Sequence, residues 1–286
     1  MGAAAAFEYE PEYVGDRLSK RNFDRLARII QEYSGIRMPQ TKTTMLEGRL
    51  RRRVRATGHA SLDSYCRYLF DEGGIDHEFL HLIDVVTTNK TDFFREPAHF
   101  AYLRETILPK LAARGTRGVR AWSAACSIGA EPYTLAMVLE EFSEQTAIDY
   151  KILATDLSTD VLATALKGIY NAEMIEPVPR PYASRYVLSA LNPGARKVRI
   201  HPKLRSRVAF ARLNLMSDNY PVGDPMDLIF CRNVLIYFDK PTQQQVLRRL
   251  CDCLVPGGHL FVGHSETVSN FDLPVEQVAG TILMKR

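Results

Sequence analysis

The stretch Val119-Arg-Ala-Trp-Ser-Ala-Ala-Cys-Ser-Ile-Gly-Ala-Glu-Pro-Tyr-Thr-Leu-Ala-Met137 reads as a strand, a tight turn and a helix. Its first residues alternate as a strand does, and its middle is a run of small residues through Gly129. From Pro132 the apolar residues Leu135, Met137, Val138 and Leu139 take helical spacing. Such a unit lets a ligand lie against bare backbone at the carboxyl end of a strand, because Ser123, Ala124, Ala125, Cys126 and Gly129 offer no long side chain to block it. A nucleotide-type cofactor suits that surface. The turn holds one glycine and not the G-x-G-x-x-G of a dinucleotide fold, so taken alone it equally serves plain packing.

The next unit, Tyr150-Lys-Ile-Leu-Ala-Thr-Asp156, is a second apolar strand that ends in an acid and leads into a helix from about Thr159. An acid there can accept hydrogen bonds from both hydroxyls of a ribose, which makes Asp156 the candidate ribose ligand. Without the turn at Gly129 it would read just as well as an ordinary acid ahead of a helix capped by Ser158 or Thr159.

Upstream, from about Leu18 to Leu111, the pattern is helical throughout, with breaks at Gly35, Pro39, Gly58 and Gly73-Gly74. This predicts a helical domain over residues 17–112. Residues 1–16 carry Glu8, Glu10, Glu12 and Asp16 and no basic residue, the pattern of a disordered acidic tail. From Arg17 to Arg55 the balance reverses, with twelve Lys or Arg against Asp24, Glu32 and Glu47. In the helix from Met45 to Thr57, Leu46, Leu50 and Val54 form a buried stripe, and Arg49, Arg51, Arg52, Arg53 and Arg55 fall off it. A solvated face and a docking surface for an acidic partner both fit such a run.

Thr87-Thr-Asn-Lys-Thr-Asp-Phe-Phe-Arg95 then combines turn-forming polar residues with two adjacent aromatics. It reads either as a capped helix start with Phe93-Phe94 buried, or as a polar loop presenting Asn89, Thr91 and Arg95 to a ligand. Downstream, over 113–286, strands and helices alternate: Val208 to Leu215 and Met226 to Cys231 look like buried strands, a helix runs from about Pro241 to Leu254, and Gly257-Gly258 is a turn before a strand His259 to Val262. Thr281 to Met284 closes the series. Residues 168–206 break the alternation with Pro177, Pro179, Pro181, Pro193 and Pro202 between short β-prone pieces, and predict a small antiparallel insertion. A mainly parallel sheet covered by helices on both faces follows, with ligands at the carboxyl ends of its strands. Gly129 with Glu131, Asp156, Asn214-Leu215 and Arg232-Asn233 all fall at such ends.

The 286 residues, 46% apolar and 24% charged with a net charge of +4, are ordinary for a globular protein. No apolar run approaches eighteen residues, and Met1 to Phe7 lack a basic start and an apolar core, so the reading is a cytoplasmic protein without membrane insertion. Cys66, Cys126, Cys231, Cys251 and Cys253 are scattered and read as reduced structural thiols, with no metal site expected.

These residues resemble the CheR-type chemotaxis receptor methyltransferases, collinearly over about residues 20–286. The resemblance rests on TTNKTDFFRE (Thr87 to Glu96), WSAACSIGAEPYTLAM (Trp122 to Met137), ATDLSTDVL (Ala154 to Leu162), LNL (Leu213 to Leu215), FCRNVLIYFD (Phe230 to Asp239) and GGHLFVGHSE (Gly257 to Glu266). It implies a class I S-adenosylmethionine-dependent, Rossmann-like α/β domain, a helical amino-terminal domain and a small antiparallel β insertion. It also implies methylation of glutamate side chains on the cytoplasmic helices of chemoreceptors, with S-adenosylhomocysteine as the other product and no nucleic-acid partner. Carried over by position, Asn89, Thr91 and Arg95 lie at the methionine end of the cofactor, Glu131 near its amino group, Asp156 on the ribose and Asn214-Leu215 along the adenine. Arg232, Asn233 and Tyr237 line the mouth, with Arg232 and Asn233 counted among the cofactor residues and Arg95 and Tyr237 as catalytic. Arg49, Arg52 and Arg53 then become the receptor-docking face. Ala130 departs from the family, which usually carries a second acid there.

The chemistry fits. A glutamate is already a carboxylate at neutral pH, so attack on a methyl sulfonium needs no general base, only alignment and electrostatic balance. Methyltransferases acting on nitrogen commonly resemble one another in an N/D-P-P-Y/F turn where this chain has Arg232-Asn233-Val234-Leu235. Two other classes stay open on sequence: a cofactor-binding regulator without turnover, and a methyltransferase of another substrate. Some family members tether to a receptor's carboxyl-terminal tail through the β insertion, a point that residues 168–206 leave undecided.

Overall fold

A computed structural model describes residues 16–268 and 271–286, the side chain of Pro193 excepted. The expected acidic tail lies outside them except for Asp16, whose carboxylate accepts the backbone N–H of Leu62. The chain forms two compact units, the smaller from residues up to Ile29 and Met38–Val86, the larger from Ile30–Arg37 and Thr87–Arg286.

In the smaller unit lie most of α1 (Lys20–Ser34), then α2 (Thr43–Ala56), α3 (Leu62–Asp71) and α4 (Ile75–Val86). Phe23, Leu26, Leu46, Leu50, Val54, Leu62, Leu69 and Leu82 are buried there, so the stripe expected of α2 is its core face. The arginines of α2 are not one open face. Arg53 donates from Nε and Nη2 to the two carboxylate oxygens of Glu78, at 2.9 and 2.7 Å, and Tyr65 Oη donates to the same carboxylate at 3.0 Å. Arg51 donates to the carbonyl of Asp16 and Arg49 to that of Val86. Arg52 and Arg55 remain exposed. The correction has a simple cause: an arginine beside a buried stripe can lay its stem on apolar neighbours and turn its head to a local carboxylate or carbonyl.

In the larger unit α5 (Pro97–Tyr102) passes through a π turn into α6 (Leu108–Ala113), with Leu108 N–H bonding the Leu103 carbonyl, five residues back, just ahead of Pro109, which has no N–H to give. The expected domain edge at residue 112 falls inside this unit, because Phe100, Leu103, Ile107 and Leu108 are buried in its core. Then follow β1 (Gly118–Ala124), α7 (Ala130–Thr146), β2 (Asp149–Asp156) and α8 (Thr159–Lys167). The insertion comes next, with β3 (Ile169–Asn171), α9 (Arg180–Tyr186), β4 (Val187–Ser189), β5 (Lys197–Ile200) and α10 (Pro202–Arg205). After it come β6 (Val208–Arg212), β7 (Met226–Cys231), α11 (Lys240–Asp252), β8 (Leu254–Val262), β9 (Val275–Ala279) and β10 (Ile282–Lys285).

Seven strands form one sheet in the order β6-β2-β1-β7-β8-β10-β9, parallel except for the β9-β10 hairpin that closes its edge. The chain winds outward from β1 to β2 and β6, then returns to β7 and winds the other way, so the switch point lies at β1 and β7. Alternation along the strands feeds two cores. Leu228 and Phe230 pack with α7 on one face; Ile229 and Cys231 pack with Val246, Leu247 and Leu250 of α11 on the other. The insertion is the antiparallel sheet β3-β5-β4, as expected.

Two details depart from the sequence reading. Gly257-Gly258 does not end a loop before a strand: Met226 lies opposite Leu254 and Leu228 opposite His259, so the pair sits in an extra length of chain within β8. Gly257 takes φ +76, and a Cβ on Gly258 would come 2.9 Å from the Val255 carbonyl. The half-exposed edge strand β9 was not anticipated, since Val275-Glu-Gln-Val-Ala279 has too few apolar residues to signal one.

Burial and the nearby Lys110 and Arg114 pull the His259 imidazole down from its ordinary 6.5 to about 4. Between those values the unfolded chain binds a proton that the folded one refuses, so stability falls as pH drops from 6.5 to 4. His259→Gln is expected to remove roughly 3 kcal/mol of that loss, read from urea midpoints across the window. In the helical unit, Glu78→Ala strands the Arg53 guanidinium and the Tyr65 hydroxyl; a loss of about 3 kcal/mol is expected in chemical unfolding.

Candidate active site

The turn after β1 is built from small residues in an uncommon backbone state. Ala125 (φ 65), Ser127 (φ 51) and Gly129 (φ 93) are all left-handed, and a Cβ on Gly129 would meet the Ala165 Cβ at 2.9 Å. Neighbouring strand ends hold it. Cys126 N–H bonds the Thr155 carbonyl at 2.8 Å, Ser127 N–H bonds Asp156 Oδ2 at 2.7 Å, and Ser158 N–H bonds Asp156 Oδ1 at 3.0 Å. Asp156 is thus a buried carboxylate set by two backbone amides beside the turn.

A cavity of about 250 Å³ opens at the carboxyl ends of β1, β2, β6 and β7. Asn89, Thr91, Arg95, Glu131, Asp156, Asn214, Leu215, Arg232, Asn233 and Tyr237, ten residues separated by up to 148 positions, all line it. Arg49, Arg52 and Arg53 do not. The Thr87–Arg95 stretch has no regular structure: Phe93 is buried against the Tyr170 ring, while the polar residues turn to the cavity. The loop reading places these residues, and of the capped-helix reading only the burial of Phe93 holds: α5 begins at Pro97 behind Glu96, which makes no side-chain cap bond, and Phe94 is half-buried.

Sequence reasoning missed one wall. Ser34 and Ile36 line the cavity from the segment Ile30–Arg37 of the larger unit. Asn214 Nδ2 and Arg212 donate to the carbonyl and hydroxyl of Tyr33, and Arg37 N–H bonds the Tyr237 carbonyl. Gly35 (φ +72) allows it, since a Cβ there would lie 2.5 Å from Met216 Sδ. The unpaired look of one glycine in a helical region was the only sequence signal.

At the other end the charges gather. The Arg232 side chain is 2% exposed, lies beside the stacked Phe100 and Phe230 rings, 5.5 and 6.0 Å from their centroids, and donates from Nη2 to the Arg95 carbonyl. Its Nη1 lies 3.5 Å from Glu131 Oε2 and its Nη2 3.5 Å from Glu96 Oε2, yet Nε and Nη1 are buried without a hydrogen-bond partner. Burial pushes the Glu131 carboxyl up, against the pull of Arg232 and a 2.6 Å hydrogen bond from Ser123. Glu266, also missed, accepts the backbone N–H groups of Asn233, Leu235 and Gly263, and so fixes the chain as it leaves β7. Asn233 takes φ 59 there.

A buried guanidinium with unsatisfied donors, 3.5 Å from a partly buried carboxylate, complements an α-amino-acid zwitterion, which carries one charge of each sign. Apolar Ile36, Leu213, Leu215 and Phe238 elsewhere in the lining suit a flat heterocycle, and Asp156 a hydroxylated sugar. S-adenosylmethionine has all three parts, so the residues present fit it.

The doubly wound sheet with its reversed last hairpin and this cavity define a class I S-adenosylmethionine-dependent methyltransferase. Residues 89–284 match the SAM-binding domain of CheR methyltransferases and residues 9–87 their all-alpha domain. The chain is 37% identical over 257 residues to a chemotaxis protein methyltransferase of Borreliella burgdorferi (88% of this chain, 89% of that one). It is 38% identical over 255 residues to the one from Escherichia coli (89% and 87%) and 39% identical over 255 to the one from Salmonella typhimurium (88% and 86%). The chain belongs to the CheR methyltransferase family, and S-adenosylmethionine is its cofactor.

Gly263 shows how closely the strand ends meet, since a Cβ on it would fall 2.6 Å from Asn233 Nδ2 and 2.9 Å from Asn233 N. Gly263→Ala is expected to cost about 1–3 kcal/mol in thermal unfolding and to weaken cofactor binding measured by calorimetry, because the Asn233 backbone must shift.

Proposed function

We propose that the protein esterifies glutamate side chains of chemoreceptor cytoplasmic helices. The observation that carries this reading is the pairing of a charge cluster that complements an amino acid with a polar loop in one cavity of a family member. When bound, S-adenosylmethionine supplies an electrophilic methyl on a sulfonium. Glu131 would take its ammonium group, Arg232 and Arg95 its carboxylate, Asp156 the ribose, and Asn214 with Leu215 the adenine edge. Asn89 and Thr91 close the methionine end, and Asn233 holds the floor beside Arg232.

The incoming glutamate is ionised near pH 7 and attacks in line, so the chain's work is to orient two reactants and exclude water. Tyr237 and exposed Ile236 line the cavity, and Tyr237 would steer the entering side chain while Arg95 balances its charge. No helix among the described residues is long and apolar enough to cross a membrane, which suits action from the cytoplasm on membrane-anchored receptors.

Receptor docking falls chiefly to Arg52, an exposed arginine of α2, with Arg49, whose Nη1 donates to the Val86 carbonyl, near it in sequence. Arg53 serves the helical unit first. The three-stranded sheet offers a second contact. Leu188 and Leu191 are exposed on and beyond its edge strand β4, where an extended receptor tail could add as a further strand.

Methyl-labelled cofactor and receptor-bearing membranes are expected to give labelled receptor that releases methanol in mild base. Asp156→Ala should abolish label through lost cofactor affinity. Label that resists base would refute ester formation. Arg52→Glu should raise the receptor KM by several-fold with cofactor affinity unchanged, whereas Arg53→Glu should destabilise the fold as well.

A further inference from the structure

Glu96 does not line the cavity, yet its carboxylate ties together three segments that do or that support it. Oε1 accepts Asn233 Nδ2 at 3.1 Å and the backbone N–H of His264 at 3.3 Å. Oε2 stands 3.5 Å from Arg232 Nη2 and 3.5 Å from His99 Nδ1, and is itself buried without a hydrogen bond. The backbone accepts a left-handed conformation (φ 57) at this non-glycine residue to put the side chain there. Burial alone would raise the carboxyl's pKa, but the Asn233 hydrogen bond and the Arg232 charge outweigh it and keep Glu96 ionised.

Glu96, His99 and His264 also bring ligand-type atoms within 4.8 Å of one another. Arg232 faces the same Glu96 oxygen, and its permanent charge opposes a second cation at that spot. Burial first, and then the Arg232 charge, hold the His99 imidazole down to about 4, so it is neutral at pH 7 and adds no positive charge of its own. The fixed partner of the Glu96 charge is Arg232.

We propose that Glu96 is a positioning residue: by binding Arg232 and Asn233 together it turns the unpartnered Nε and Nη1 donors of Arg232 toward the amino-acid end of the cofactor. This rests on the reading above that Arg232 meets the cofactor's carboxylate. Glu96→Gln keeps the shape and an acceptor for Asn233 but removes the charge that holds the guanidinium. The loss is therefore confined to ligands that carry the amino-acid group.

Calorimetry with two ligands tests it. S-adenosylhomocysteine carries that group and 5′-methylthioadenosine lacks it. The expected result for Glu96→Gln is at least about tenfold weaker binding of S-adenosylhomocysteine, with 5′-methylthioadenosine affinity within about twofold of wild type. Equal weakening of both ligands assigns Glu96 a purely structural role and overturns the proposal, as does an unchanged S-adenosylhomocysteine affinity. If wild-type protein binds both ligands equally, the placement of Arg232 at the carboxylate fails, and the role of Glu96 fails with it.

Discussion

The Asp156 carboxylate, bridging the backbone amides of Ser127 and Ser158, is the contact on which the cavity depends. The turn after β1 holds two non-glycine residues in left-handed conformations, each costing of order 1 kcal/mol. Such a turn persists only when its surroundings over-determine it. The amide-carboxylate bond and the Cys126 contact to Thr155 do so, and they also join the end of β2 to the turn that leaves β1, one of the two strands at the switch point. One acid thereby shapes the turn and lines the cavity beside it.

Around this point the cavity divides by polarity. One end is walled by aliphatic residues and by the short segment of Ile30–Arg37, seated through Gly35. The other gathers Glu96, Glu131 and Glu266 about Arg232 and the chain leaving β7. The three acids are not equivalent. Glu266 is spent on backbone amides, Glu131 is raised by burial, and Glu96 is kept ionised by its partners. A buried arginine costs desolvation that only such partners offset, so its presence marks a place where a ligand's charge is expected.

The helical unit applies the same rule to different ends. Arginines that read on sequence as one docking face separate into those that brace α2 against Asp16, Val86 and Glu78, and those left exposed. A charge run is thus a poor guide to a surface until its local acceptors are known.

Much was legible in the residues alone. Period-two and period-3.6 patterns placed the strands and helices, the proline-broken stretch marked the insertion, and the acids and amides at strand ends marked the cavity, because an α/β sheet can present ligand groups nowhere else. Where sequence reasoning failed, the deciding contact was remote. Gly35 faces Met216, Glu96 faces Arg232 and Asn233, Arg53 faces Glu78, and the Gly257-Gly258 loop lies within a strand paired to β7. Sequence periodicity reports which face of an element is buried. Which charge meets which is decided when distant segments pack, since hydrogen bonds and ion pairs act only over a few ångströms and those distances exist only in the folded chain.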